Sequence, residues 1–250
     1  EDNTIEVRHC WTEMGQGVHT VARQVAVEEL GVDADRIRVV VDTTRELGAG
    51  QTTGSRGTVM ASGSVADACR VAMTAGCEVG VEYEGLYTVD WTNSINDGLE
   101  NPVIHSTFGY AAQLVELDPE SGAIANVVAA HDVGRAVNPL LCEGQIEGAV
   151  HMGLGYALTE GFPCDEAGRP MNTTLRSLDI IRPKDMPPTE VILVEAADPN
   201  SPYGIKGVGE IGLVPTAGAV AAALHSHDGE WRNELPMRTD KNRERSSAWI

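Results

Sequence analysis

Residues 4–42 read TIEVRHCWTEMGQGVHTVARQVAVEELGVDADRIRVVVD, and their pattern decides the fold class. In Thr4 to Cys10, Ile5 and Val7 alternate with polar residues, the period of a half-buried strand. The glycine turn Glu13-Met14-Gly15-Gln16-Gly17 follows. Apolar residues then return at Val18, Val21, Ala22, Val25, Ala26 and Leu30, which is helical spacing, and Gly31 is placed to cap the end. Asp33 to Asp42 predicts a second strand. Strand, turn, helix and strand in one short run make a compact α/β unit.

Further along, Thr43 to Arg56 is almost devoid of apolar residues and rich in Gly and Thr, which suits a functional loop better than a core element. A helix pattern follows from about Thr58 to Val79, its Ala61, Gly63, Ala66, Ala68 and Ala72 small enough for tight packing. Glu82 to Asn101 is polar and turn-rich, and reads as a bridge between two lobes. Tyr110 to Asp118 and Ala123 to His131 predict two strands joined by Pro119-Glu120-Ser121-Gly122, a hairpin. Pro139 suits the first position of a helix running to about Thr159. Gly144, Gly148, Gly153 and Gly155 lie inside it, each costing up to ~1 kcal/mol relative to alanine, so close packing against backbone or ligand is expected. A last strand spans Val191 to Ala196. The expected architecture is α+β, with two packed lobes of mixed sheet and helices over about 1–90 and 100–238 and a loose tail at 239–250.

Composition narrows the function. Hydrophobic residues make up 42% of the 250-residue chain and its formal net charge is −19. So acidic a surface opposes sequence-independent binding to nucleic-acid phosphates or anionic membranes, both of which need Lys/Arg patches. No apolar stretch approaches the roughly 20 residues of a membrane span. Cys10, Cys69, Cys77, Cys142 and Cys164 form no C-x-x-C pair, so reduced, mostly buried thiols in a cytoplasmic protein are expected. His131, His151, His225 and His227 show no metal-ligand spacing. The chain opens at Glu1 rather than Met, and is expected to be a fragment or a processed piece.

Several stretches could carry chemistry. Ser201 to Leu224 reads SPYGIKGVGEIGLVPTAGAVAAAL and sets one carboxylate, Glu210, among Gly207, Gly209 and Gly212 before an alanine-rich helix pattern. Gly207 to Gly212 formally matches G-x-G-x-x-G, but the preceding Pro202-Tyr-Gly-Ile-Lys is no buried strand, and the polar HSHDGEWRN that follows offers no strand ending in a ribose-binding acid. A dinucleotide site is therefore rejected. The remaining choice for Glu210 is a solvated loop residue or a general base. Gly54-Ser55-Arg56-Gly57-Thr58 offers amides, hydroxyls and one cation at a helix start, either as an anion cradle or as a solvated loop. Gln16 between two glycines reads first as a structural turn. Gln145, with donor and acceptor on one planar group, suits an oxo or amide-like partner, although a lone helical glutamine is more often a surface residue.

Taken together, these stretches resemble the molybdenum-cofactor subunit of the xanthine dehydrogenase/aldehyde oxidase family, specifically its C-terminal molybdopterin-binding half. The landmarks come in family order from Ile5 to Met237: EMGQGVHT (13–20), TTGSRGT (52–58), DVGRAVNP (132–139), GQIEGAVHMGLGYALTE (144–160) and GIKGVGEIGLVPTA (204–217). The resemblance implies molybdenum hydroxylase chemistry, in which oxygen from water enters an electron-poor C–H carbon of an N-heterocycle or an aldehyde. Glu210 occupies the position of the family's glutamate base. By the same matching, Gln16, Gly17 and Gly54 to Thr58 contact the pterin and its phosphate, Gln145 lies near the pterin or the metal's oxo group, Gly207 and Gly209 line the cofactor, and Lys206 biases Glu210 towards ionisation. No side chain is needed as a metal ligand, because the pterin dithiolene supplies the sulfurs. The implied cofactor is molybdopterin, with the cytosine dinucleotide form as one candidate.

Departures from the family pattern also carry information. Ile-Gly follows Glu210 where animal enzymes have Pro-Pro, which fits bacterial relatives. The other half of the subunit, with its G-G-G-F-G segment, is absent, as are the iron–sulfur and FAD parts. The resemblance thus implies as partners the N-terminal half of the molybdenum subunit and iron–sulfur and flavin subunits, with a dimer as a further expectation. The chain alone is expected to be inactive. A purine such as xanthine is the first expectation for substrate, an aldehyde the second, and a non-catalytic assembly module the alternative of another class.

Overall fold

The computed structural model describes residues 3–48 and 51–237; the expected tail at 239–250 and two positions of the Thr43–Arg56 loop lie outside them. Two compact units divide the chain. The first holds residues up to Gly109, Val133–Leu141 and Glu195–Gly207; the second holds Tyr110–Asp132, Cys142–Val194 and the residues from Val208 on. The expected lobes were contiguous stretches, and here the observed division differs. Residues 133–141 and 195–207 join the first unit because Val137, Leu141 and Tyr203 pack against its core, and the backbone ties the two segments to each other. Gly134 bridges Ile205, Arg135 N–H donates to Gly204 O (2.9 Å) and Lys206 N–H to Val133 O (3.1 Å).

In the first unit, β1 (Ile5–Arg8) and β2 (Ile37–Val40) pair in parallel with Ile5 opposite Ile37 and Val7 opposite Val39. Helix α1 (Val18–Leu30) forms the crossover, as a parallel pair requires. Its Val18, Val21, Ala22, Val25 and Ala26 are buried, and Gly31 ends it in the left-handed conformation (φ 61°), donating its N–H to Val27 O. The second strand starts later than its sequence pattern, because Ala34–Arg36 first make a 3-10 turn closed by Arg36 N–H to Asp33 O (3.0 Å). Helix α2 (Gly57–Ala75) packs Val65, Ala66 and Cys69 into the same core. It stops short of Val79 because Gly76 (φ 91°) donates back to Ala72 O and Met73 O. Its small residues do admit a close neighbour: a Cβ on Gly63 would lie 2.3 Å from Tyr87 Cγ, and one on Gly85 would lie 2.2 Å from Ala68 N. That neighbour is an irregular segment, residues 82–87, within the stretch read as a bridge. All of it up to Gly109 belongs to the first unit.

In the second unit, β3 (Ala111–Leu117) and β4 (Ile124–Asp132) form the expected antiparallel hairpin, and β5 (Thr189–Val194) adds in parallel to β4. The order β3-β4-β5 makes β4 central. Helices α3 (Pro139–Leu158) and α4 (Thr216–Asp228) complete the unit; the first residues of α3, up to Leu141, belong to the first unit. Ile146, Val150 and Leu154 of α3, Val220 of α4 and Val127 of β4 are fully buried. The α3 glycines divide two and two. A Cβ on Gly153 would meet Thr216 Cβ at 2.6 Å, and one on Gly155 the Glu160 carboxylate, whereas Gly144 and Gly148 meet nothing within 4 Å. Close packing on a fixed neighbour therefore explains Gly153, while the Gly155 contact is with the far end of the long Glu160 side chain.

Candidate functional site

The 13–17 turn is held by its own acid. Glu13 Oε1 accepts from Gly15 N–H (2.8 Å) and Gly17 N–H (2.9 Å), and Oε2 from His19 N–H (3.2 Å), so the carboxylate caps the start of α1. Burial pushes its pKa up, but the bonds from Gly17, His19 and Gly15 outweigh that and leave it below the ordinary value. Gln16 closes the same turn: its Oε1 accepts from Met14 N–H (2.6 Å) and its Nε2 donates to Thr12 O (2.7 Å). Gly17 sits at φ 87°, and a Cβ there would strike Leu141. Glu13 carries no role in the sequence reading, although an acid just before a helix start is a recognised capping signal.

The Gly54–Thr58 run is built the opposite way. Gly54 and Ser55 both take positive φ (60° and 53°) and turn the chain into α2, where Arg56 is the N-cap and makes no side-chain cap bond. Among the described residues, no side chain bonds the amides of Gly57, Thr58 or Val59, so the first turn of a 19-residue helix keeps its donors and its positive dipole end. Arg56 brings a cation there, with its guanidinium over the Trp11 ring (5.8 Å) and bonded to Gln51 O. Gly207 belongs to this group: a Cβ on it would lie 2.4 Å from Ser55 O. The first unit thus assembles Gly54 to Thr58 with Gly207.

In the second unit, turns at Gly209–Pro215 lead into α4, and Glu210 stands exposed on them. Leu213 N–H donates to Glu210 O (3.2 Å) and closes the turn. Gly212 anchors it: a Cβ there would lie 2.6 Å from Ala149 Cβ and 3.3 Å from Ile146 Cα on α3. Gln145, half-buried, immediately precedes Ile146 on that helix. Gly212 O accepts from Gln113 Nε2 (2.7 Å) and from Thr216 Oγ1 (3.3 Å). Gln113 also carries no role in the sequence reading. Its signal was a polar residue on the same strand face as buried Val115.

Two histidine environments are also new. His131, set aside for lack of ligand spacing, is fully buried and burial lowers its pKa. His9 is buried against His19 (ring centroids 5.0 Å); burial, then the neighbouring His19, hold its pKa down to about 4 against the opposing pull of Glu13. Among the described residues, no three His, Cys, Asp or Glu side chains cluster to hold a metal. Cys69 is buried, but Cys10, Cys77 and Cys164 are exposed, which corrects the expectation of mostly buried thiols.

Comparison with known proteins matches the sequence of this chain to one family. The sequence model described as the molybdopterin cofactor-binding domain matches residues 1–81 and 70–187. The 6-hydroxypseudooxynicotine dehydrogenase complex subunit gamma of Paenarthrobacter nicotinovorans is 29% identical over 95% of this chain and 35% of its own length. Two proteins of Escherichia coli (strain K12) match over a similar span. The aldehyde oxidoreductase molybdenum-binding subunit PaoC is 27% identical over 96% of this chain and 37% of its own length. The putative xanthine dehydrogenase molybdenum-binding subunit XdhA is 28% identical over 95% and 37%. The chain spans about a third of the length of these relatives. In fold it is similar to the aldehyde oxidoreductase from Desulfovibrio desulfuricans ATCC 27774 (TM-score 0.84, 24% identity, 100% of this chain and 29% of that one). It is also similar to quinoline 2-oxidoreductase from Pseudomonas putida 86 (TM-score 0.75, 22% identity, 98% and 37%).

Proposed function

This chain belongs to the molybdopterin cofactor-binding domain family, and from that premise we propose that it is the cofactor-binding part of a molybdenum hydroxylase with Glu210 as general base. The observation that carries the proposal is the Glu210 turn: one exposed carboxylate on a loop pinned to α3 through Gly212. An exposed acid on a fixed backbone can meet a reacting proton without reorganisation, which is what general-base catalysis requires.

The donor set fits the cofactor. The pterin carries a phosphate, and the uncapped amides of Gly57 and Thr58, the hydroxyls of Ser55 and Thr58 and the charge of Arg56 form an anion-binding helix start. Gly207, packed against Ser55, and the exposed Gly209 would contribute backbone, and Gln145 offers both donor and acceptor. Gln16 and Gly17 would contribute backbone and shape, since the Gln16 side chain bonds within its own turn. The molybdenum cofactor, when bound, would supply the oxidising centre for hydroxylation with water-derived oxygen. Glu210 would hold at its carboxylate the proton that such a hydroxylation releases and pass it to solvent.

The substrate class is an electron-poor N-heterocycle such as a purine; the similarity to an aldehyde oxidoreductase subunit keeps an aldehyde as the second reading. The rest of the molybdenum subunit would come from another segment or chain, with iron–sulfur and FAD partners taking the electrons. Val79, Leu86, Ile95 and Phe108, all large, apolar and exposed, support coverage by such a partner. Among the described residues, no helix is long and apolar enough to cross a membrane. A cytoplasmic location, the cytosine dinucleotide form of the cofactor and a dimer of the assembled enzyme complete the proposal.

Glu210→Gln in the native complex tests it. Turnover should fall by roughly 10²–10⁴-fold, the span of a general base, with molybdenum and pterin content unchanged. Near-normal turnover removes Glu210 from the role, and a native complex without molybdenum supports the assembly module instead.

A further inference from the structure

Gln113 lies on β3 opposite Ala129 and diagonally from His131, so all three share one face of the sheet. Its Nε2 donates to Gly212 O at 2.7 Å and lies 3.2 Å from His131 Nε2. The assignment of these atoms follows from one group. A backbone carbonyl can only accept, so the atom facing Gly212 O must be the amide nitrogen. That nitrogen has two hydrogens, and the second points at His131 Nε2. His131 Nε2 must therefore accept, which leaves the ring proton on Nδ1. Gln113 Oε1 and His131 Nδ1 are both buried without a protein partner, so the side-chain hydrogen bonds of this pair run through the Gln113 nitrogen.

Gly212 is fixed from three sides. Helix α3 leaves no room for a Cβ, Thr216 Oγ1 of α4 donates to its carbonyl, and Gln113 of β3 donates to the same oxygen. Glu210 lies two residues earlier, within the turn that Gly212 anchors.

We propose that Gln113, oriented by His131 behind it, is a positioning residue that fixes the Gly212 carbonyl and thereby aims the Glu210 turn. The reach of this pair is a full 99 residues along the chain, and it joins the sheet to the loop through a single planar amide. Its catalytic consequence rests on the reading of Glu210 as the base, whereas its structural consequence does not.

The first arm of the test uses the purified chain. Nitrogen-15 NMR of the wild type should show His131 neutral and protonated on Nδ1; a ring protonated on Nε2 overturns the proposal without any variant. Gln113→Glu keeps size and replaces a donor with an acceptor. It should speed hydrogen exchange of the Leu213 and Thr216 amides, bonded to Glu210 O and Leu213 O, at least tenfold and leave those of α1 unchanged. Unchanged exchange at both overturns the proposal. The second arm uses the cofactor-loaded complex. Gln113→Glu should lower kcat by about tenfold to a hundredfold, the scale of a misplaced catalytic group, with KM and molybdenum content retained. If Glu210→Gln abolishes turnover while Gln113→Glu leaves kcat at wild type, this positioning role fails and the base stands. If Glu210→Gln turns over normally, the base reading fails, and the exchange and tautomer results alone decide the role of Gln113.

Discussion

Two alanine substitutions on one helix should change stability in opposite directions. At Gly148 of α3, an added Cβ meets nothing within 4 Å, so Gly148→Ala only removes the conformational freedom of glycine. The gain expected is about 0.5–1 kcal/mol. At Gly153, five residues on, the same methyl would lie 2.6 Å from both Thr216 Cβ and Thr216 Oγ1 and 2.9 Å from its Cγ2. Thr216 is fully buried and opens α4, so it cannot swing aside like the end of a long side chain. Forcing one methyl into such a contact costs roughly 1–3 kcal/mol. Set against the same helix-propensity gain, Gly153→Ala should be destabilising by about 1 kcal/mol and should differ from Gly148→Ala by roughly 1–3 kcal/mol. Urea unfolding of the purified chain, followed by far-UV circular dichroism, reads this as midpoints moving in opposite directions at unchanged slope. Equal stabilisation by both substitutions would refute the packing of α3 on the start of α4.

The remaining predictions concern the first turn. Glu13→Ala deletes three backbone hydrogen bonds at the start of α1 and should cost about 1–2 kcal/mol, measured by the same unfolding experiment; because the folded pKa of Glu13 is depressed, its contribution is present above the unfolded value near 4.5 and lost as pH falls through the folded one. His9, held down to about 4 from an ordinary 6.5, stays neutral in the folded chain while the unfolded chain takes up a proton, so stability should decline as pH falls from 6.5 towards 4, by on the order of 3 kcal/mol at most. His9→Gln should flatten that part of the pH–stability curve, and an unchanged slope would show that His9 is not the group responsible.

Local pattern carried the element list. Helical spacing from Val18 to Leu30, Pro139 at a helix start and the Pro119–Gly122 turn each report a choice the backbone makes within a few residues, and each element formed where those signals lay. What did not show was partnership at a distance. Gln113 and Gly212 have no local relation, and a glutamine in a strand looks the same whether it faces water or a buried histidine. The division into units was hidden for a similar reason: residues 133–141 and 195–207 are joined by backbone bonds that leave no composition signal. The α3 glycines mislead in the other direction, since a glycine facing open space and one pressed on Thr216 are spelled alike. Of the candidate site, the sequence offered the glycine turns and the choice for Glu210 between a solvated loop residue and a base, whereas the exposure of that acid and the bonds around it are visible only in the fold.

The two glycine turns, EMGQGVHT and TTGSRGT, show how one charge settles what such a turn can do. Both bring the chain through positive φ into a helix, and both expose first-turn amides to whatever acceptor is near. In the first, the chain carries its own acceptor four residues before Gly17, and Glu13 takes the amides of Gly15, Gly17 and His19. An external phosphate there would have to displace a carboxylate with three bonds and would meet its charge. In the second, the residue four before the N-cap is the uncharged Thr52, the N-cap itself is a cation, Arg56, and the amides of Gly57 and Thr58 remain available. In a chain of net charge −19, an anionic ligand needs a place where the local charge is reversed. Between these two otherwise similar turns, the start of α2 is the one that offers it.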